Sequence, residues 1–361
     1  MESTNDMNKQ TYKYLKSSIL VLFCVLNMQV KAQDVSFSQM YANPMYLSPS
    51  FTGLSNGTRM SLTYRDQWPG IANTFRSYAL AADHFFEEYS SGLGIMVMRD
   101  DSGNGLLVRQ DISALYAYEF EVARNIFIRP GIEFIYKERN LDLMGAIFPS
   151  DQGNDGSYIP NANALSSEFN HKQFDAAASA MLYSDNFWFG VAMHNLVKSN
   201  VGVTDIATYN PMRTSIYGGY KYKYKDVRNK RDEQSLTLAF NYRAQQDFNQ
   251  LDIGTYWYIN PMELGLWYRG IPFASSDGLL NHDGLIFILG VNVGPVRFAY
   301  SYDWTLSELS GYSNGANELT LIYRFNQTFK KRGSRGAIPC SSPGISGGSG
   351  SKYRRGSRTL F

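Results

Sequence analysis

The amino-acid sequence predicts an all-β fold, a transmembrane antiparallel up-and-down β-barrel of about 14 strands in an outer membrane. Three observations predict it. Apolar and polar residues alternate with period two along most of the chain, the connections alternate between short and long, and an export signal opens the sequence. Aromatic residues make up 15% of the 361 residues and charged residues only 18%, at a mean hydropathy of −0.30. That mixture is aromatic without being greasy, as expected of strands with one apolar and one polar face.

The signal comes first. Lys9, Lys13 and Lys16 precede an apolar run from Ile19 to Val30, and Val30-Lys31-Ala32 offers small residues for cleavage. Residues 1–32 therefore read as a signal peptide, with the mature chain starting at Gln33. Phe23 precedes Cys24 where lipoprotein processing wants a small residue, so no lipid anchor is expected. Removing the signal leaves Cys340 as the single cysteine, which excludes an intramolecular disulfide and a Cys-rich metal site. No later run of about 18 apolar residues occurs, so no transmembrane helix is expected.

Residues 33–58 read as a periplasmic lead-in and 59–325 as the barrel. The alternating segments run from 59–67 to 317–325. Between Ser235 and Arg243, Leu236, Leu238, Phe240 and Tyr242 form one face against Ser235, Thr237, Ala239, Asn241 and Arg243. Leu319, Leu321, Tyr323 and Phe325 likewise oppose Glu318, Thr320, Ile322 and Arg324. Ile112, Ala114, Tyr116, Tyr118 and Phe120 oppose Asp111, Ser113, Leu115, Ala117, Glu119 and Glu121. The apolar sets are expected to face lipid, and Arg129, Glu133, Arg213, Lys221, Arg243 and Arg297 to line the lumen.

Short connections fall at 87–89, 122–124, 183–186, 260–262 and 293–295. Longer ones fall at 68–75, 138–170, 196–211, 271–283 and 304–316, with 223–233 long where a short turn is expected. Short periplasmic turns and long external loops are a property of outer-membrane barrels, whereas a soluble sandwich has no reason to sort loops by parity. An even strand count sends both termini to the periplasm.

Residues 326–361 form a basic extension rich in Gly, Ser and Arg. It carries Lys330, Lys331, Arg332, Arg335, Lys352, Arg354, Arg355 and Arg358 and no acid. Of 34 Lys and Arg and 32 Asp and Glu, four and two lie in 1–32 and eight and none in the tail. The body 33–329 thus holds 22 basic and 30 acidic residues, a net −8 beside a +8 tail. The eight basic residues are candidates for docking a periplasmic partner.

Catalytic signals are thin, and no enzyme is expected. Gly53-Leu54-Ser55-Asn56-Gly57 and Gly344-Ile345-Ser346-Gly347-Gly348 match the nucleophile-elbow spacing without the strand-turn-helix context it requires. His84, His171, His194 and His282 have no metal-ligand spacing, and His194 reads as a turn or rim residue. No phosphate loop and no cofactor site is expected. Asp100, Asp101, Asp151 and Asp155 sit in acidic loops that lack calcium-hand spacing and read as solvated. An exported, acidic body gives no support to nucleic-acid binding.

Gln33-Asp34, Phe37-Ser38-Gln39-Met40-Tyr41, Asn43-Pro44 and Ser48-Pro49-Ser50-Phe51-Thr52-Gly53 resemble the opening of the PorP/SprF family. Tyr64-Arg65-Asp66-Gln67-Trp68-Pro69, Gly92-Leu93-Gly94, Tyr116-Ala117-Tyr118, Arg139-Asn140-Leu141-Asp142 and His194-Asn195-Leu196 continue the likeness to about Phe325. Phe37, Ser38, Gln39, Asn43, Pro44, Pro49 and Gly53 are the motif positions. The Met40-Tyr41 order is reversed from the family's common pattern, and Ser48 stands where Asn is usual. The resemblance implies a non-enzymatic outer-membrane component of the type IX secretion system of the Bacteroidota. Such a component binds the periplasmic lipoprotein ring and supports export or surface retention of cargo such as gliding adhesins. The alternative function is a passive or selective outer-membrane channel.

Overall fold

A computed structural model describes residues 34–55, 57–71, 74–142, 168–198, 209–225, 234–246, 248–276, 279–306 and 311–325. The chain divides into two units, 1–36 and 37–361, and the barrel belongs to the second. Its strands are β1 (Thr58–Gln67), β2 (Phe75–Phe86), β3 (Ser91–Ser102), β4 (Leu107–Tyr118), β5 (Phe120–Ala123), β6 (Ile126–Asp142), β7 (Glu168–Tyr183) and β8 (Phe187–His194). They continue as β9 (Arg213–Lys225), β10 (Gln234–Gln245), β11 (Phe248–Ile259), β12 (Met262–Ser276), β13 (Leu279–Val293), β14 (Val296–Thr305) and β15 (Ala316–Phe325).

Apart from β4 and β5, which both pair with β6, neighbours in sequence are neighbours in the sheet, all antiparallel, and β15 returns to β1 with Phe325 opposite Thr58. The sheet is closed. β4 and the start of β5 pair with β6 in one register, Ala117 opposite Gly131 and Phe120 opposite Ile128, with a gap at Glu119 and a register shift between Glu121 and Ala123. Counted as one wall strand they reduce fifteen segments to fourteen. Closure leaves no long edge to water or lipid, which is what a spanning sheet requires.

The two faces fall where the alternation puts them. Leu238 is 60% exposed on the outside of β10, while Thr237 beside it is 4% exposed on the inside. Exposed Leu, Ile, Phe, Tyr and Trp cover the outer wall, and buried Arg, Lys, Asp and Glu line the inner one. The ten residues of β1 suit a tilted membrane crossing. Aromatic rims flank the apolar band. Tyr222, Tyr224, Trp257, Tyr323 and Phe325 stand near the short-turn end, and Tyr78, Tyr300, Tyr302 and Trp304 toward the other.

The course of the chain corrects three sequence expectations. Residues 271–283 were expected as a loop, but β12 and β13 extend through them to Ser276 and from Leu279. Their register breaks at Gly270 and before Ser275, so no clean alternation marks the extension. Asp100 and Asp101 lie on β3 rather than in a loop; the tight turn is Gly103-Asn104-Gly105, all with positive φ. Residues 37–55, expected in a periplasmic lead-in, fold into the barrel interior instead.

Candidate functional site

The lumen is filled by the chain's own N-terminal segment. Phe37 to Ser55 are all buried apart from Tyr46, which is half-buried. Asn43-Pro44 starts one helical turn, α1 (Pro44–Leu47), and Ser48-Pro49 starts a 3-10 turn, Pro49–Phe51. Proline suits both first positions because its missing N–H would be unsatisfied there anyway. The Ser48 hydroxyl accepts from Ser50 N at 3.3 Å and caps the second turn. Such compact turns let a short segment fill a cylinder that a single extended strand would leave hollow.

At the long-loop end the plug meets a charged cluster. Arg65 pairs with Asp303 at 2.9 Å and Glu318 at 3.3 Å, and Arg269 with Asp252 at 3.1 Å and Asp303 at 3.3 Å. Glu318 accepts the backbone N–H groups of Ser38 (2.7 Å) and Gln39 (3.1 Å), and the Ser38 hydroxyl donates to Asp303. The side-chain amide of Gln39 donates to the Glu318 carbonyl at 3.1 Å, and Arg269 reaches the Phe37 carbonyl at 3.5 Å. Thr63 donates to Asn43 Oδ1 at 2.8 Å. Buried charges are tolerated only when paired and hydrogen-bonded, and here the plug's main chain adds two donors to Glu318.

In the middle the contacts are aromatic. Tyr41 packs against Phe51, Trp188 and Trp267 with ring centroids 5.5–6.3 Å apart. Trp188 Nε1 donates to the Tyr41 hydroxyl at 3.2 Å, and Tyr217 donates to Ser48 Oγ at 2.8 Å. Nearer the long-loop end, Tyr46 underlies Arg213, whose guanidinium donates to its hydroxyl at 3.0 Å and stacks 5.0 Å from the ring centre.

Toward the short-turn end the plug touches the wall backbone. Gly53 has φ of +70°, and its N–H donates to Asp83 at 2.7 Å, while Asp83 also holds Arg59 at 2.8 Å. A Cβ on Gly92 would stand 2.1 Å from the Thr52 carbonyl oxygen, so only glycine lets the plug lie against β3. Arg129 donates to that same carbonyl and to Glu119 at 2.9 Å. The plug therefore runs from Phe37 at the long-loop end to Leu54 at the short-turn end, where it continues into β1.

The structure brings the seven motif residues together as this plug, each in contact with the wall or shaping a turn. Of the expected lumen charges, Arg129, Glu133, Arg213, Lys221, Arg243 and Arg297 are all buried inside. Arg297 pairs with Glu263 at 2.6 Å, and Arg243 stands 3.8 Å from Asp252. His194 ends β8 as read, but it is no rim residue: its ring faces the Leu47 carbonyl at 3.3 Å and Glu133 at 3.8 Å. Lys137 donates to Asp175 and to Asn195 Oδ1 at 2.6 Å, behind the same stretch. Asp101 pairs with Arg99 at 3.0 Å and Asp100 accepts from Ser77 at 2.5 Å. Among the described residues no three His, Cys, Asp or Glu side chains gather as a metal would need.

The signal segment, the loop acids Asp151 and Asp155, the second elbow-like sequence, Cys340 and the eight basic tail residues lie outside the described residues. Sequence reasoning missed Arg65, Asp83, Asp252, Arg269, Asp303 and Glu318 as plug ligands or their partners. Their signal was available, since each is a charge on the inward parity of an alternating strand.

A closed fourteen-stranded barrel with an apolar outer band and a self-filled polar lumen is an outer-membrane protein by construction. The model of the type IX secretion system membrane protein PorP/SprF matches residues 29–323, and the chain belongs to that family. No curated protein matches the chain. Solved structures similar to it include the toluene transporter TbuX of Ralstonia pickettii, at 11% identity and a TM-score of 0.46 over 78% of this chain and 93% of that one. The outer membrane protein Omp33 of Acinetobacter baumannii matches at 8% identity and a TM-score of 0.41, over 76% of this chain and 100% of that one. A Pseudomonas aeruginosa FadL homologue matches at 11% identity and a TM-score of 0.37, over 74% and 90%.

Proposed function

We propose that this barrel is a non-enzymatic, sealed platform of the type IX secretion machinery. On this reading it binds the periplasmic lipoprotein ring on its short-turn face. The long loops on the opposite face support export or surface retention of cargo such as an adhesin. The observation that carries it is the filled lumen. A chain whose own residues 37–55 occupy the interior, held by buried ion pairs and aromatic packing, works through its two ends rather than its bore. The same observation weighs against the passive or selective channel.

Phe325 closes the wall at the short-turn end, so the basic tail is proposed to leave on the periplasmic side. Its eight basic residues can hold an acidic surface through salt-sensitive contacts. Phe37 stands at the long-loop end, so the expectation of a periplasmic N-terminus is not carried into this proposal. Tagged protein purified from native membranes should bring periplasmic machinery with it. Recovery of the barrel alone, with secretion normal in a deletion strain, would overturn the reading.

A further inference from the structure

One short piece of wall has no neighbour. β5 pairs with β6 and with nothing else, because β3 begins at Ser91, level with Tyr118, above it. All four of its residues are exposed, which holds for no other strand among the described residues. Glu119 N donates to the Ser90 carbonyl at 2.8 Å on the β3 side. Glu121, opposite Phe127, is the last residue before the register shifts toward Ala123, and regular alternation from Glu119 to that point sends its N–H and C=O out of the same edge, where among the described residues nothing meets them. Closed barrels are built to abolish such edges, and this one is left at the short-turn face.

Its side chains are not those of a blunted edge. Phe120 is 49% and Val122 55% exposed, Tyr89 on the adjoining β2–β3 turn is 69% exposed, and no lysine or proline stands on β5. Glu121 on the strand and Glu87 and Glu88 on that turn are exposed acids, opposed locally by Arg124.

From this we propose that β5 is a strand-addition site on the short-turn face. Its occupant is an extended segment of a periplasmic partner that pairs with the Glu121 main chain. The segment carries an apolar residue over Phe120 and Val122 and a Lys or Arg opposite the glutamates. A second copy of this chain is a poor occupant, since antiparallel pairing of two β5 edges would set Glu121 near its own copy. The proposal rests on the reading that the short-turn face is periplasmic, and it deepens the ring-binding role.

The test places a photo-cross-linking residue at Val122 in the full-length protein in cells. The cross-linked product is then sequenced, with and without Glu121→Pro. Proline removes the outward donor, and an edge position tolerates it. A periplasmic protein should be captured through an extended, Lys- or Arg-bearing peptide, and Glu121→Pro should lower the yield about tenfold. The same variant should keep the heat-dependent gel shift of a folded barrel. Cross-links to lipid alone, to this chain's own tail or to a second copy would overturn the proposal, as would a yield that Glu121→Pro leaves unchanged. If the wild-type protein co-purifies with periplasmic partners while Val122 captures none, the edge fails and the platform reading stands. If no periplasmic partner co-purifies at all, the platform reading itself fails.

Discussion

On the outside of β15, Leu319, Leu321, Tyr323 and Phe325 meet lipid. One residue away on the same strand, Glu318, Thr320, Ile322 and Arg324 meet the plug or the opposite wall. The two faces share a backbone and differ in what they ask of a side chain. Lipid asks only for apolarity and tolerates exchange among large hydrophobic residues. The interior asks for a particular partner at a particular distance, as when Glu318 accepts two plug N–H groups while pairing with Arg65. Specificity in this barrel is therefore an inner-face property, the reverse of a soluble protein's ordinary arrangement of polar surface and apolar core.

Removing a buried charge from the inner face should do the most damage. Arg129→Ala leaves Glu119 buried without its cation and frees the Thr52 carbonyl, at a cost of roughly 3–5 kcal/mol. Urea unfolding of the detergent-solubilised barrel would show it, and a loss below about 1 kcal/mol would mean the pair is not the anchor described. Placing a charge on the lipid face comes next. Leu238→Arg should cost roughly 2–4 kcal/mol near the midplane, read from refolding into lipid vesicles. Thr237→Arg should not be the mild control that a hollow lumen would allow, because Thr237 is 4% exposed inside a filled one. Its damage should rival that of Leu238→Arg.

A smaller effect tests the plug's seat. Gly92→Ala forces a methyl against the Thr52 carbonyl and should cost about 1–3 kcal/mol, as overpacking does. Limited proteolysis should then cut the plug in the variant and spare it in the parent. The smallest effect on folding belongs to the tail. Truncation after Gln327 should leave the unfolding midpoint unchanged and lower recovery of periplasmic partners, the residual binding falling further as salt is raised. Unaltered recovery would remove the tail from the docking face.

The fourteen wall strands were legible because period two persists wherever one face meets lipid and the other does not. The same rule placed Arg129, Glu133, Arg213, Lys221, Arg243 and Arg297 inside. It failed at 271–283, where the register between β12 and β13 breaks at Gly270 and again before Ser275 and period two is interrupted. The plug was invisible for a different reason. Phe37–Leu54 has no periodicity, and its partners lie up to 280 residues away in sequence, as Ser38 and Glu318 do. Its proline-started turns and motif residues marked it as special without saying where it sits. His194 shows the same limit, because a strand end next to Asn195 looks like a rim until Leu47 is placed beside it.

The account stands on the lumen being closed by the chain's own residues 37–54. Single-channel recording in planar bilayers tests it directly, comparing the intact protein with a variant lacking those residues but retaining Ser55 onward. The intact barrel should hold a silent baseline, and the deletion should open steady ion-conducting steps while keeping its heat-dependent gel shift. Steady conductance from the intact protein, or equal silence from both, would contradict the plug.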